Sequence, residues 1–287
     1  VQEMEAFPKR CVRIEIKPLD NRNSEKMALN ILPFLGLHHP ILKQIVRQAG
    51  GNPLFIEEVA RSIVDEGAVV RENGKFRATP KIASFSVPPT INDILMFRID
   101  HLDEKSRRVL KLSSVIGMKF LPRLLSEVID NNDNLDQYLR ALEQKQLLQR
   151  LTSIDEPEYV FSNALTWKVA YETILPEKRK EMHRRIAYSI EKLFKEQINE
   201  CYGMLAYHFS KAGESEKTEK YLIKAGEEAL RSSGFGDAFQ YYKEALDIYK
   251  QTHEKDLDPD KIATFERNIA LSLYDRGHLS ESLEHFE

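Results

Sequence analysis

The sequence predicts a mainly α protein made of consecutive modules, and three observations carry that prediction. Apolar residues recur at helical spacing through most of the chain, and Gly and Pro break the runs. Strand-like alternation is confined to a few short stretches. From Asn163 onward every segment reads as helix, and this part repeats itself weakly at intervals of twenty residues. The chain has 287 residues, of which 42% are apolar and 30% charged, enough for two or three modules with buried cores. The breaks divide it into residues 1–88, 89–175 and 176–287.

The first part opens with a β-type alternation, Cys11 to Lys17, with Val12, Ile14 and Ile16 on one face and Pro18 closing it. Helical spacing follows through Met27, Leu29, Ile31, Leu32 and Leu35, then through Ile41, Leu42, Ile45 and Val46. Gly50-Gly51 and Asn52-Pro53 end one helix and start the next, with Pro53 in a first turn, where its missing N–H costs nothing. That next helix is expected to bury Leu54, Phe55, Val59, Ile63 and Val64, to turn Glu57, Glu58 and Arg61 to solvent, and to stop near Gly67. Residues 68–89 read as a loop or small hairpin, in which Val69-Val70 and Phe76-Arg77 flank Asn73-Gly74, a pair that favours a tight reversal. Pro80, Pro88 and Pro89 punctuate the exit.

In the second part short helices are expected at 91–101, 105–116, 121–129 and 135–145, with Asp103 as an N-cap and Gly117 as a terminator. Two strand-like runs, 147–151 and 159–161, flank a turn-rich stretch ending at Pro157. Helices followed by a small β-ribbon give a winged-helix-like module. The third part contributes helices at about 163–173, 176–196, 201–212, 215–232, 235–251, 261–276 and from 279 onward. Leu205-Ala206, Phe209 and Gly213 recur as Ala225-Gly226, Ala229 and Ser233, and Thr218, Leu222 and Ala225 recur as Ala238, Tyr242 and Ala245. A third partial copy runs Ile269-Ala270, Leu273, Gly277, Ser282 and Phe286. A small residue at a helix crossing, an apolar residue further on and a turn residue before the next helix follow the helix-pair logic of a TPR-like (tetratricopeptide) α-solenoid.

Forty-two basic and 45 acidic residues give a net charge of −3, against a chain built mainly to hold nucleic acid or an anionic membrane. The two cysteines, Cys11 and Cys201, form no disulfide framework, and a reducing cytoplasmic setting is expected. The longest uncharged stretch, Leu29 to Leu42, is too short to span a bilayer, and the first residues hold no apolar signal-peptide core. Val1 is no initiator and Glu287 lies within an amphipathic run, so a piece of a longer protein is expected.

The chemical motifs are sparse. The twelve glycines form no phosphate-binding loop of the G-x4-G-K-[S/T] type, and Gly234 and Gly236 lack the third glycine of a dinucleotide turn. Ile63-Val64-Asp65-Glu66 has the look of a magnesium-holding strand but lies in a helical run. Asp130 to Asp136 is rich in oxygen ligands yet lacks the glycine and closing glutamate of a calcium loop, so a solvated loop capping the next helix competes with ligation. His38-His39 sit where a helix cap competes with ligation, and His208 reads as a packing histidine between Tyr207 and Phe209. No metal set and no G-x-S-x-G elbow is present. A basic run, Lys178-Arg179-Lys180 with His183-Arg184-Arg185, is either a solvated face or a contact for phosphates or an acidic domain. Met182, Ile186, Ile190 and Leu193 form its buried stripe.

Gly51-Asn-Pro-Leu-Phe-Ile-Glu-Glu-Val59 resembles a phrase of the signal-transduction ATPases with numerous domains (STAND class), in the branch that follows class III adenylate or guanylate cyclase domains and ends in tetratricopeptide repeats. Further phrases of the resemblance are Ile14-Glu-Ile-Lys-Pro-Leu19, Val87 to Leu95 with Arg98-Ile-Asp-His-Leu102, Val109 to Phe120, Phe161 to Leu165 with Ala170-Tyr-Glu172, Arg179 with His183, and Leu205-Ala-Tyr-His208. The resemblance implies that residues 1–88 are the edge and helical lid of an ATPase core, 89–175 the winged-helix-like module and 176–287 the TPR-like repeats. It implies that Gly51, Asn52 and Pro53 lie near a nucleotide, with ATP or ADP bound by the full-length parent and none by this piece. His101 is the nearest match to a phosphate-contacting histidine.

The expected function is therefore that of a regulatory scaffold in a nucleotide-dependent signalling ATPase, with a protein or peptide partner at the repeats and no turnover by this piece alone. Two alternatives stand beside it: a winged-helix DNA-binding regulator using Arg179, Arg184 and Arg185 on phosphates, and a TPR adaptor with no nucleotide.

Overall fold

A computed structural model describes residues 15–33, 39–72, 75–129, 134–152, 156–254 and 256–286. The chain is mainly α and divides into two compact units, residues 1–103 and 104–287. Of the strand expected at 11–17, residues 11–14 lie outside the described residues, and 15–17 are in no strand.

In the first unit three helices, α1 (Asn21–Ile31), α2 (Pro40–Ala49) and α3 (Pro53–Asp65), precede a hairpin, β1 (Val69–Glu72) and β2 (Lys75–Ala78). A 3-10 turn, Pro80–Ser84, and α4 (Ile91–Asp100) complete it. Each helix starts where the sequence supplies an acceptor. Asp20 takes the Asn23 N–H at 2.7 Å, His39 Nδ1 takes the Ile41 N–H at 3.3 Å, and Thr90 forms a reciprocal capping box with Asp93. His39 is thus a cap, while His38 lies outside the described residues. β1 and β2 pair antiparallel, Val69 opposite Ala78 and Val70 opposite Arg77; the Asn73-Gly74 reversal lies outside the described residues. Leu42, Ile45, Ile56, Val59, Ile63 and Ile94 form the centre of the core.

One expectation for α3 is overturned. Glu58 is fully buried and Val64 is 43% exposed. Glu58 stands on the same side as Phe55 and Ser62, one turn away in each direction, and its charge is met by Arg98 of α4, which is itself 1% exposed. Arg98 Nε also donates to Asp65 Oδ2 at 3.0 Å, and Arg61 reaches Glu58 at 3.2 Å. Two carboxylates thus share one buried guanidinium, fixing α4 against α3. Removing the cation leaves Glu58 in a dry core with one partly exposed arginine for company. Arg98→Ala should lower stability by about 3–5 kcal/mol, and Glu58→Leu with Arg98→Met should recover most of that loss, because breaking a buried pair costs more than replacing it. Urea unfolding of the two variants checks this; equal losses would exclude the pair as the cause.

The second unit starts with α5 (Glu104–Ile116), β3 (Lys119–Phe120), α6 (Pro122–Val128), α7 (Leu135–Gln144), β4 (Leu148–Leu151), β5 (Glu158–Phe161) and α8 (Ala164–Glu172). The sheet is antiparallel in the order β3-β5-β4, with Phe120 opposite Tyr159 and Leu148 opposite Phe161. β3, two residues long, has no periodicity to read, so the expected ribbon of two strands gains a third. Tyr159 and Phe161 of β5 point into the core. The Trp167 indole donates to the Ser114 carbonyl at 2.8 Å, tying α8 to α5.

The remainder is a serial TPR-like array: α9 (Pro176–Leu193), α10 (Tyr202–Ala212), α11 (Ser215–Arg231), α12 (Phe235–Thr252), α13 (Pro259–Asp275) and α14 (Leu279–Phe286), each packed on the next. The helix expected to run to 196 ends at Leu193. Phe194 and Gln197 leave helical geometry (φ −110° and −122°), and a 3-10 stretch, Lys195–Cys201, follows. The weak repetition has a backbone cause. Gly213, Ser233 and Gly277, the turn residues of its three copies, all take left-handed conformations, φ 73°, 59° and 80°. Their small partners sit at crossings: a Cβ on Gly226 would lie 2.8 Å from the Tyr242 ring. Gly226→Val should therefore cost about 1–3 kcal/mol by overpacking. Gly236→Ala, whose added methyl meets nothing within 4 Å, should be neutral or stabilising. Thermal melts of both variants decide it, and a harmless Gly226→Val would exclude a close crossing.

Candidate functional site

The Gly51-Asn52-Pro53 turn joins α2 to α3, and local folding accounts for each residue. Gly50 and Gly51 are both left-handed (φ 52° and 81°), and the chain at Pro18 and Leu19 lies directly against Gly51. A Cβ there would run into the Leu19 carbonyl oxygen, and Leu19 N–H donates to the Gly51 carbonyl at 2.9 Å. Asn52 Oδ1 accepts the Leu54 N–H at 3.0 Å, and Pro53 fills the first helical position. The donors at this helix start are thus partly used by the chain itself. Asn52→Ala should cost about 1 kcal/mol and Asn52→Ser should restore most of it. Gly51→Ala should cost more than Asn52→Ala, because strain and a backbone clash coincide. Denaturant midpoints test the ranking, and the reverse order would refute this account of the turn.

The other sequence candidates disperse. His101 ends α4, its Nδ1 2.8 Å from the Phe97 carbonyl and its ring 4.0 Å from Phe97. Asp65 belongs to the last turn of α3 and holds Arg98. Asp130–Asp133 lie outside the described residues, and Asp136 sits in the first turn of α7. Cys201 is buried and burial pushes its thiol up; Cys11 lies outside the described residues. Among the described residues no group of three or more His, Cys, Asp or Glu side chains could hold a metal ion.

The basic run on α9 is largely used inside the protein. Arg184 bonds Glu214 at 2.8 Å and Glu181 at 2.9 Å, and Arg185 donates to the Val128 carbonyl at 2.6 Å. Arg179 lies over the Tyr171 ring, 4.9 Å from its centre.

What sequence reading missed is a buried cluster where α8, α9 and α10 meet. His183 and His208 are 1% and 0% exposed, and their Nδ1 atoms are 2.8 Å apart. His183 Nε2 lies 2.9 Å from the Tyr171 hydroxyl. The Tyr207 ring stands edge-on to both imidazoles at 5.6 and 5.3 Å. His208 Nε2 is buried without a hydrogen-bond partner of good geometry. Burial, then the Lys211 and Arg179 charges, lowers His183 to about 4. Burial, then His183, lowers His208 to about 3, with a weaker pull upward from the Ile116 backbone. His183 could have been found as a member of the stripe Met182, Ile186 and Ile190. Nothing in the sequence pairs it with a residue 25 positions on. A separate cleft of about 490 Å³ lies beside it in the same unit, lined by Phe120, Phe194, Cys201 and Met204. Of its acidic lining, Glu156 is engaged by Arg123 and Glu158 by Lys119.

Among the described residues no helix is long and apolar enough to cross a membrane. Residues 23–77 match the model of a domain of unknown function (DUF8739), well under half of the chain. Over 248 residues the chain is 25% identical to uncharacterized protein R02095 of Rhizobium meliloti (strain 1021), a match covering 85% of this chain and 24% of that protein. The chain thus spans about a quarter of the length of the curated relative it matches. Among solved structures it is similar to the STAND protein with a tetratricopeptide repeat sensor, PH0952, from Pyrococcus horikoshii. That likeness has 13% identity and a TM-score of 0.40, and it covers 96% of this chain and 54% of that one.

Proposed function

We propose that this chain is a regulatory part of a cytoplasmic, nucleotide-dependent signalling ATPase of the STAND type, linked in its parent to a cyclase domain. In this reading the repeats α9–α14 bind a protein or peptide partner. Residues 104–172, the part of the expected winged-helix-like module 89–175 that falls in the second unit, run helix, strand, two helices, two strands and helix, and carry the response onward. ATP or ADP belongs to the parent, with the Gly51-Asn52-Pro53 turn near it.

The observation that supports the reading most is the way the array is fastened to the module. Tyr171 of α8 bonds His183 of α9, Arg185 of α9 bonds the end of α6, and Lys192 bonds Glu127 of α6 at 2.8 Å. A partner that changes the packing of the first array helices therefore acts on the module through direct contacts, the requirement for coupling between two sites. The array also presents Tyr188, Met204 and Tyr207, each close to half exposed, as aromatic and methionine contact surface. The DNA-binding alternative is weakened because Arg184 and Arg185 are spent on Glu181, Glu214 and the Val128 carbonyl.

Two measurements test it. Highly purified chain should show no ATP hydrolysis above background, and retained turnover would refute the assignment of catalysis to a separate core. The full reading frame should carry a phosphate-binding loop ahead of Val1, about one ordinary domain length or more away; a frame without one would remove the ATPase from the reading and leave the adaptor.

A further inference from the structure

The two buried imidazoles have a geometry that requires at least one neutral ring, and a burial that disfavours charge on either. With the Nδ1 atoms facing each other at 2.8 Å, one ring must donate its Nδ1 proton and the other must accept it. A first proton leaves an imidazolium donating to a neutral ring and so keeps this hydrogen bond, but it buries an uncompensated charge; a second proton places an N–H on both facing nitrogens and turns the bond into a clash of two donors. The charged groups acting on the pair give the new charge no refuge. Arg179 from α9 and Lys211 from α10 are both cations, Tyr171 from α8 and Tyr207 from α10 are uncharged, and α5 contributes the backbone of Ile116. Among the described residues no carboxylate contributes to the shift of either ring.

The joint itself is built to open. α9 and α10 are connected by Lys195–Cys201, a 3-10 stretch broken at Gln197 and mostly exposed, so the two helices are not one rigid rod. We propose that the Tyr171–His183–His208 chain is an acid-released latch on the α9–α10 hairpin, closed while both imidazoles are neutral and released as the pair takes up protons. Its position makes it regulatory: the hairpin is both the first crossing of the array and the place where the array is fastened to α8.

The direction follows from linkage. Opened histidines titrate near 6.5, whereas in the closed joint the rings stay neutral to about 4 and about 3. The opened form therefore binds more protons throughout that interval, and closure is complete above about pH 6.5. Below it the closed form loses about tenfold per histidine for each pH unit, about 100-fold for the pair, until the pH approaches 4.

The experiment is hydrogen exchange of the 287-residue chain between pH 7.5 and 5.0, read by peptide in α9 and α10 and corrected for the intrinsic pH dependence of exchange. Protection across α9–α10 should fall by more than tenfold over that range while α12–α13 keeps its protection. His208→Leu should leave only the share of His183, a clearly smaller fall, whether it leaves the joint tight or loose. Protection that does not change with pH in the native chain, or an equal fall in His208→Leu, would overturn the proposal. If the variant does not fold, the ring nitrogens of the native chain decide. Nitrogen NMR at pH 6.0 should show both imidazoles neutral, each with one protonated nitrogen, and an imidazolium signal from either would overturn it.

Discussion

A helix in a serial array can bury its apolar stripe only against the helices before and after it, so the closeness of each crossing limits everything else in the second unit. Three features set that closeness. Left-handed turn residues at Gly213, Ser233 and Gly277 reverse the chain within one residue. Small residues at the crossings let an aromatic ring lie directly on a neighbouring backbone, as Tyr242 does on Gly226. Bulky rings then fill the remaining space, Phe209 stacking on Tyr221 with centres 5.6 Å apart. A residue enlarged at a crossing displaces a ring, and the ring's own neighbour is the next crossing.

The first unit solves a different problem with a polar device. Its helices are short, and α4 is separated from α3 by a hairpin and a 3-10 turn, so apolar contact alone leaves the angle between them loosely set. A guanidinium shared by Glu58 and Asp65 is directional and fully enclosed at the Glu58 end. It contributes orientation more than net stability, because both ions are taken out of water to form it. The Gly51 turn is its counterpart on the other end of α3, where a backbone contact with Leu19 leaves no room for a side chain. Together they position α3 at both ends.

Element types were readable because they depend on neighbours in sequence. Pro53 at a first helical turn, the Val69–Ala78 hairpin and the helix stretches of the array all follow from local rules. What escaped depends on neighbours in space. Glu58 carries a charge, and a charge on an amphipathic helix reads as exposed; its buried cation is 40 residues away. His183 belonged to a basic run and His208 to an aromatic one, and only the antiparallel return of α10 on α9 joins them. β3 is two residues long and exists because β5 offers it an edge. The candidate nucleotide-proximal residues were legible as a motif, yet the same three residues are those a tight turn into a helix demands, so the motif alone does not separate the two reasons for them.

The distribution of buried ionisable groups ties these points to function. Several ionisable side chains in the interior are held by specific neighbours. Glu58 is neutralised by Arg98, the two histidines are kept uncharged by burial and by flanking cations, and the Cys201 thiol is pushed up by desolvation. What they do share is placement between helices, Glu58 and Arg98 between α3 and α4, His183 and His208 between α9 and α10. A buried polar contact between two helices is satisfied in one arrangement and costly in every other, so each of these pairs sharpens the difference between packed and unpacked states. That is the property a helical relay needs: its contacts contribute modest stability but discriminate strongly between conformations, and a partner that shifts one crossing is felt at the next.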